Sequence, residues 1–231
     1  MKDGKRCAGH PATAEELQIF QNVEANLYTA VVSDALDQFG LRHQAMGEYL
    51  RPIGPATRFA GWARTIVCAD VHYIPEKPYE MEIEAVDSIL RGEVVVVSTQ
   101  RSIRNAPWGE LLSTAAKARQ GRGAVIDGLV RDVKKIEELE FPVFAAGIKP
   151  VDSTGRGIVI DYNIPAECGG VLVNPGDMVF GDYDGVVVVP ANTLHDVMRI
   201  AFDKVSRENG SRKELTQGAY LCDVYEKYGV L

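Results

Sequence analysis

Apolar residues recur along this chain in two rhythms, one of helical spacing and one of short aliphatic runs, and their alternation predicts the architecture. After a polar leader to about Pro11, Thr13 or a near neighbour is placed to cap an amphipathic helix through Ala25. Thr29 is placed to cap a second helix, AVVSDALDQF, that stops at Gly40. A loop rich in Pro and Gly over 47–55 leads into the strand-like RFAGWARTIVCA. Helical spacing then covers 77–91, and EVVVVST reads as a strand buried on both faces. Helices over 110–119 and 132–140 alternate with strands over 123–126 and 142–146. This βαβ rhythm predicts a parallel or mixed sheet with helices packed on it.

The texture changes at Gly157. IVIDYNIP and GGVLVNPGDMVFGDYDGVVVVP read as short strands divided by the turn signals Pro175-Gly176-Asp177 and Asp184-Gly185. A long amphipathic helix is predicted over 191–209 and a last helical tail over 212–228. There is no internal repeat and no low-complexity linker. With 231 residues, 46% of them hydrophobic, the chain can bury one full core. The expected division is a leader and helix over 1–26, an α/β core over 27–190 and a helical extension over 191–231.

Charge and cysteines narrow the function classes. Lys and Arg total 25 against 32 Asp and Glu, and the resulting net charge of −7 repels phosphate backbones. The basic residues are scattered, so no nucleic-acid partner is expected. Cys7, Cys68, Cys168 and Cys222 stand far apart with no CxxC pair, which suits reduced thiols and indicates neither a zinc site nor a disulfide framework. The N-terminal residues lack an apolar signal core, and the longest aliphatic runs, at 94–97 and 186–189, are strand-sized. These features predict a cytoplasmic protein with no membrane partner.

Candidate chemistry concentrates in GELLSTAAKARQGRGAVIDGLVRD, residues 109–132, where an acidic helix start precedes a buried strand that ends in adjacent Arg131 and Asp132. Sheet edges of this kind are where α/β folds usually keep their ligands. Asp132 suits the N-cap of the helix that follows, and Arg131 suits a solvated turn. Yet a capping aspartate keeps one oxygen free for a hard cation such as Mg²⁺, which takes one or two carboxylates and several waters. The planar guanidinium beside it matches a carboxylate or an enolate oxygen. Gly109, Glu110, Leu111 and Leu112 supply the other half, because the first N–H groups of a helix lack intrahelical partners and favour an anion. Equally, Trp108-Gly109 suits a simple turn and Glu110 suits the helix dipole. The functional reading is a small polar site for an α-keto acid.

Other polar features read as structural. Ser33 and Asp34 share one helix face, Asp182 and Asp184 suit a hairpin turn, and His10, His43, His72 and His195 show no metal-ligand spacing. No GxSxG, Walker A or dinucleotide-binding fingerprint is present.

The run WGELLSTAAKARQGRGAVIDGLVRD, with FPVFAAGIKPVDSTGRG and VNPGDMVFGDYDGVVVVP after it, closely resembles the RraA-like family over roughly residues 27–218. That family includes divalent-metal-dependent 4-hydroxy-4-methyl-2-oxoglutarate/4-carboxy-4-hydroxy-2-oxoadipate aldolases and the regulator of ribonuclease E activity. Many members carry an older label of dimethylmenaquinone methyltransferase. The resemblance implies an α/β fold of the swivelling β/β/α type, with a mixed sheet core flanked by helices. It also implies trimers or hexamers with active sites between subunits.

On that resemblance Asp132 would coordinate Mg²⁺ or Mn²⁺, partly through water, and Glu110 would orient the waters. Arg131 would stabilise the enolate oxygen of a bound pyruvate unit, and backbone N–H groups around Gly109, Leu111 and Leu112 would hold its carboxylate. Glu208, within RENGSRKELTQG, is the closest match to an acidic residue donated by a neighbouring subunit. Tyr79 stands where the characterised aldolases carry an Asn that contacts substrate. The implied activity is pyruvate-releasing cleavage of a small 2-oxo acid, with oxaloacetate decarboxylation through the same enolate. The rival is a non-catalytic regulator that binds a ribonuclease or a helicase. A methyltransferase is disfavoured, because no glycine-rich nucleoside loop followed by an acidic strand end is present.

Overall fold

The computed structural model describes residues 9–230, so Cys7 and most of the polar leader lie outside the described residues. The chain begins with helices α1 (Ala14–Asn26) and α2 (Thr29–Asp37), then strands β1 (Arg51–Pro52) and β2 (Phe59–Asp70). Alternation follows through α3 (Glu80–Asp87), β3 (Glu93–Ser98), α4 (Glu110–Ala118), β4 (Gly123–Val130), α5 (Val133–Glu138) and β5 (Val143–Ile148). The β-rich part holds β6 (Gly157–Tyr162), β7 (Ala166–Cys168), β8 (Val171–Val173), β9 (Met178–Asp182) and β10 (Gly185–Val189). Helices α6 (Leu194–Thr216) and α7 (Leu221–Tyr228) close the chain.

One mixed sheet runs in the order β1-β5-β4-β3-β2-β9-β10, and β2, β3, β4 and β5 are parallel neighbours within it. The twelve residues of β2 serve two antiparallel partners along one edge. Its first half pairs with β9 (Phe59 opposite Gly181) and its second half with β6 (Ile66 opposite Tyr162), with a register shift between Val67 and Cys68. β7 and β8 form a separate hairpin.

Strand periodicity explains why EVVVVS is buried throughout. Side chains alternate across a sheet, and here both faces are covered. Val94 and Val96 pack with Phe59, Val125 and Phe144 against Val171 and Val173 of the hairpin and Val186 and Val188 of β10. The nearly closed sheet thus wraps its own core. Val95 and Val97 face outward into Ala85, Ala116 and Ile136 of α3, α4 and α5. On the other outer face Phe20, Val32, Leu36, Val197 and Ala201 of α1, α2 and α6 cover Met178, Phe180, Val187 and Val189. The expected mixed sheet flanked by helices is the fold observed.

Several boundaries differ from the sequence expectation, each for a local reason. The capping box at Thr13 forms, with Glu16 N–H donating to Thr13 Oγ1 and Thr13 N–H to the Glu16 carboxylate. Thr29, expected to cap α2, is instead its first helical residue. Asp182 does the capping from a distance, accepting Thr29 N–H at 2.8 Å and the Thr29 hydroxyl at 2.7 Å. The loop over 47–55 contains the short edge strand β1, and α3 is shorter than 77–91. The tail is not broken at Asn209-Gly210: α6 runs through both. Gly210 is there for space, since a Cβ would lie 2.5 Å from the Tyr228 ring of α7.

Among the described residues no helix is long and apolar enough to cross a membrane. Cys68 and Cys168 are buried free thiols and Cys222 is an exposed one. Because Asp182 is buried and also accepts Asp184 N–H at 3.0 Å, Asp182→Ala is expected to cost about 2–4 kcal/mol. Urea unfolding followed by circular dichroism measures that loss.

Candidate active site

The site lies at the carboxyl ends of the parallel strands, as open α/β sheets dispose their ligands. A register shift between Ile126 and Leu129 carries β4 past Asp127-Gly128 to Val130, so the strand is longer than the 123–126 expected. The slip is held by buried Asp127, whose carboxylate accepts the Thr99 N–H at 2.5 Å and the Thr99 hydroxyl at 2.9 Å from the end of β3. Beyond it, Val130 bridges Trp108, and Arg131 N–H donates to the Trp108 carbonyl at 3.0 Å. Trp108 is itself fixed, its indole N–H donating to Ser113 Oγ at 2.9 Å and that hydroxyl to the Gly109 carbonyl at 2.9 Å. The start of α4 is therefore tied beside the end of β4.

Gly109 allows the close approach. Its backbone is extended, and a Cβ there would lie 2.7 Å from Asp132 Oδ2 and 3.2 Å from Arg131 Cγ. The first N–H groups of α4, at Glu110, Leu111 and Leu112, open the helix beside these two side chains, and Gly109 supplies no side-chain cap.

Asp132 departs from its expected role. It occupies the cap position of α5, but its backbone is left-handed, with φ 60° and ψ 31°, and its side chain caps nothing. A non-glycine residue there costs about 1–2 kcal/mol. Its carboxylate stands 3.9 Å from Arg131 Nε instead of on the helix.

The structure brings Tyr79, Gly109, Leu111, Leu112, Arg131 and Asp132 onto one cavity of about 340 Å³. Glu110 is not among its lining residues, and its carboxylate accepts the Thr114 hydroxyl at 2.9 Å along its own helix. Glu208 sits on α6, 3.8 Å from Lys204 Nζ, in a separate groove shared with Tyr28, Asp34 and Leu215. Asp34 pairs with the same lysine, so the Ser33-Asp34 segment stands with α6 and apart from the cavity.

Two acids that the sequence reading did not single out complete the wall. Asp152, after β5, receives Arg131 Nη2 at 3.0 Å, the Tyr79 hydroxyl at 2.7 Å and Thr154 N–H at 3.0 Å. Partial burial opposes its ionisation, yet the bonds from Thr154 and Tyr79, with Arg131 behind them, hold its pKa down at about 2. Glu82 is the opposite case: burial, with Asp152 adding repulsion and Arg131 relieving part of it, lifts its pKa from 4.5 to about 7. It lines this cavity and also a narrow adjoining crevice with Cys68, Ser102 and Asn105. Glu82 lies one helical turn beyond Tyr79, a spacing that places both on one face. For Asp152, in KPVDSTG, there was no signal beyond a polar loop.

A family model described as RraA-like, Aldolase/RraA, matches residues 29–188. The chain belongs to this family. A "Putative 4-hydroxy-4-methyl-2-oxoglutarate aldolase" of Halalkalibacterium halodurans is 28% identical over 197 residues, covering 85% of this chain and 89% of that one. Protein DlpA of Legionella pneumophila is 28% identical over 207 residues, 88% of this chain, which spans only 32% of DlpA. Among solved structures, Streptomyces coelicolor RraAS2, described as an unusual member of the RNase ES inhibitor RraA protein family, superposes with a TM-score of 0.76. It shares 26% identity, with 88% of this chain and 98% of that one covered.

Two outcomes follow for this RraA-like cavity. Gly109→Ala is expected to push the Asp132 carboxylate out of its place beside the start of α4, a displacement that a crystal structure of the variant would show. The unfolding free energy should stay within about 1 kcal/mol of the parent, because the crowded atom is the end of a half-exposed side chain. For Glu82, the folded chain holds a proton between pH 4.5 and about 7 that the unfolded chain releases, so stability falls as pH rises through that window. Urea titrations should find the parent about 2 kcal/mol less stable at pH 8 than at pH 5 through this group. In Glu82→Gln that component of the pH dependence should be absent.

Proposed function

We propose that this chain is a divalent-metal-dependent carbon–carbon lyase. It releases pyruvate from 4-hydroxy-2-oxo acids by retro-aldol cleavage and decarboxylates oxaloacetate at the same site. One observation carries the reading: Arg131, Asp132 and the N-terminus of α4 converge on a single cavity at the carboxyl ends of parallel strands.

A Mg²⁺ or Mn²⁺ ion fits this donor set in a water-rich mode. Among the described residues no group of three or more His, Cys, Asp or Glu is arranged as a cage, whereas Asp132 offers one carboxylate that no cap engages. Hard cations of this kind accept one or two carboxylates and keep several waters. When bound, the cation supplies Lewis-acid polarisation of the 2-oxo group.

The chain's own groups do the rest. The N–H groups at the start of α4 hold the substrate carboxylate, and the Arg131 guanidinium faces the 2-oxo oxygen, where negative charge grows. Asp152, itself held by the Tyr79 hydroxyl, fixes that guanidinium in advance, so little reorganisation is needed during the reaction. In the aldol case the C4 hydroxyl proton leaves to a base, the C3–C4 bond breaks to give an aldehyde or ketone, and the enolate takes a proton at C3. In the decarboxylation the same bond breaks with loss of CO₂. Glu110 is assigned to ordering water near Asp132, and Glu208 to the site of a neighbouring subunit in a trimer or hexamer.

The likeness to RraAS2 favours a second reading, a non-catalytic regulator of a ribonuclease. Exchange of pyruvate methyl protons with D₂O, followed by NMR, separates the two because it needs only the enolate machinery. With Mg²⁺ the parent should exchange, and EDTA or Asp132→Ala should lower the rate at least a hundredfold. Exchange that is absent, or that survives both treatments, would refute the lyase.

A further inference from the structure

The cavity that Arg131 and Asp132 share has a predominantly acidic wall. Among the described residues that line it, Arg131 is the only cation, while Glu82, Asp132 and Asp152 are acids. With Asp132 assigned to the reacting end, Glu82 and Asp152 remain to face the rest of a substrate. Arg131 is already committed on that side, since its Nη2 lies 3.0 Å from Asp152 Oδ1. The other nearby guanidinium, Arg156, donates to the backbone carbonyls of Asp152 and Thr154 and does not line the cavity. Lys149 likewise donates to the Ile103 carbonyl.

Resting on the lyase reading above, we propose that this wall selects 4-hydroxy-2-oxo acids whose leaving fragment is an uncharged hydroxyaldehyde, and rejects those that carry a second carboxylate. A carboxylate on the leaving fragment would meet Glu82 and Asp152 with no unpaired cation to receive it. It would give up its hydration without gaining an ion pair, a loss of more than about tenfold in affinity. A hydroxyl meets the same wall favourably: it donates to the Asp152 or Glu82 carboxyl and accepts from Ser153, all of which line the cavity. Asp152 is already balanced by three donors, and the raised pKa of Glu82 leaves it partly neutral near pH 7. The wall therefore suits a neutral polar tail better than a cationic one. Tyr79, Glu82 and Asp152 are specificity-determining residues in this account.

Two substrates differing only at C5 test it. Pyruvate release by the full chain with Mg²⁺ is compared for 4,5-dihydroxy-2-oxopentanoate, which ends in a hydroxymethyl group, and 4-hydroxy-2-oxoglutarate, which ends in a carboxylate. The hydroxymethyl substrate is expected to have at least tenfold the kcat/KM of the other. Glu82→Gln should shrink that ratio at least threefold, and Glu82→Lys should shrink it further, through KM of the dicarboxylate. A parent enzyme that cleaves both equally or prefers the dicarboxylate overturns the proposal, whatever the variants do. Pyruvate proton exchange in the same preparation tells the failures apart. Exchange without the predicted preference sinks the tail selection alone, and no exchange with no cleavage of either substrate sinks the lyase reading together with it.

Discussion

A single backbone connection organises the site: the bridge between Trp108 and Val130, closed by Arg131 N–H on the Trp108 carbonyl. Two segments more than twenty residues apart are locked side by side by it, one ending in helix N–H groups and the other in a cation and an anion. A paired buried amide costs little, whereas an orphaned one costs a full desolvation penalty, so the bridge is held as firmly as the sheet itself. Burial of Trp108 and the Trp108–Ser113–Gly109 relay extend that rigidity into the first turn of α4. The frame sets where the backbones of Arg131 and Asp132 stand, and Asp152 then orients the guanidinium.

Within the cavity, charge balance is settled locally. Asp152 gathers donors from Arg131, Tyr79 and Thr154 and stays ionised, and by doing so it raises the cost of a second charge at Glu82. Two carboxyls a short distance apart are thus driven to different protonation states by their surroundings, a division of labour familiar from acid–base sites. Arg131 stands at the centre of that division. Its guanidinium is oriented by one acid and lowers the charge penalty of the other.

Much of this was readable from residue order alone, and the exceptions share a cause. Alternation and turn chemistry were enough for the mixed sheet and the β9–β10 hairpin, because those signals are local. Thr29 was misread as a cap because its partner, Asp182, lies 153 positions away. The break expected between 209 and 212 is absent, and the ring that Gly210 accommodates inside α6 belongs to the distant α7. The strand expected over 123–126 runs on to Val130, and the bond from Thr99 to Asp127 shows how β4 passes Asp127-Gly128. Asp152 escaped notice for the same reason: a lone acid in a polar loop acquires meaning from the guanidinium that reaches it. Positions defined by one neighbour in sequence were visible, and positions defined by a neighbour in space were not.

The left-handed backbone at Asp132 has an evolutionary corollary. Apart from glycine, asparagine and aspartate tolerate that conformation best, so an Asp-to-Asn exchange would keep the turn, the strand exit and the neighbouring helix while deleting one formal charge. A scaffold hinged on such a residue can lose that charge in a single step without losing its shape.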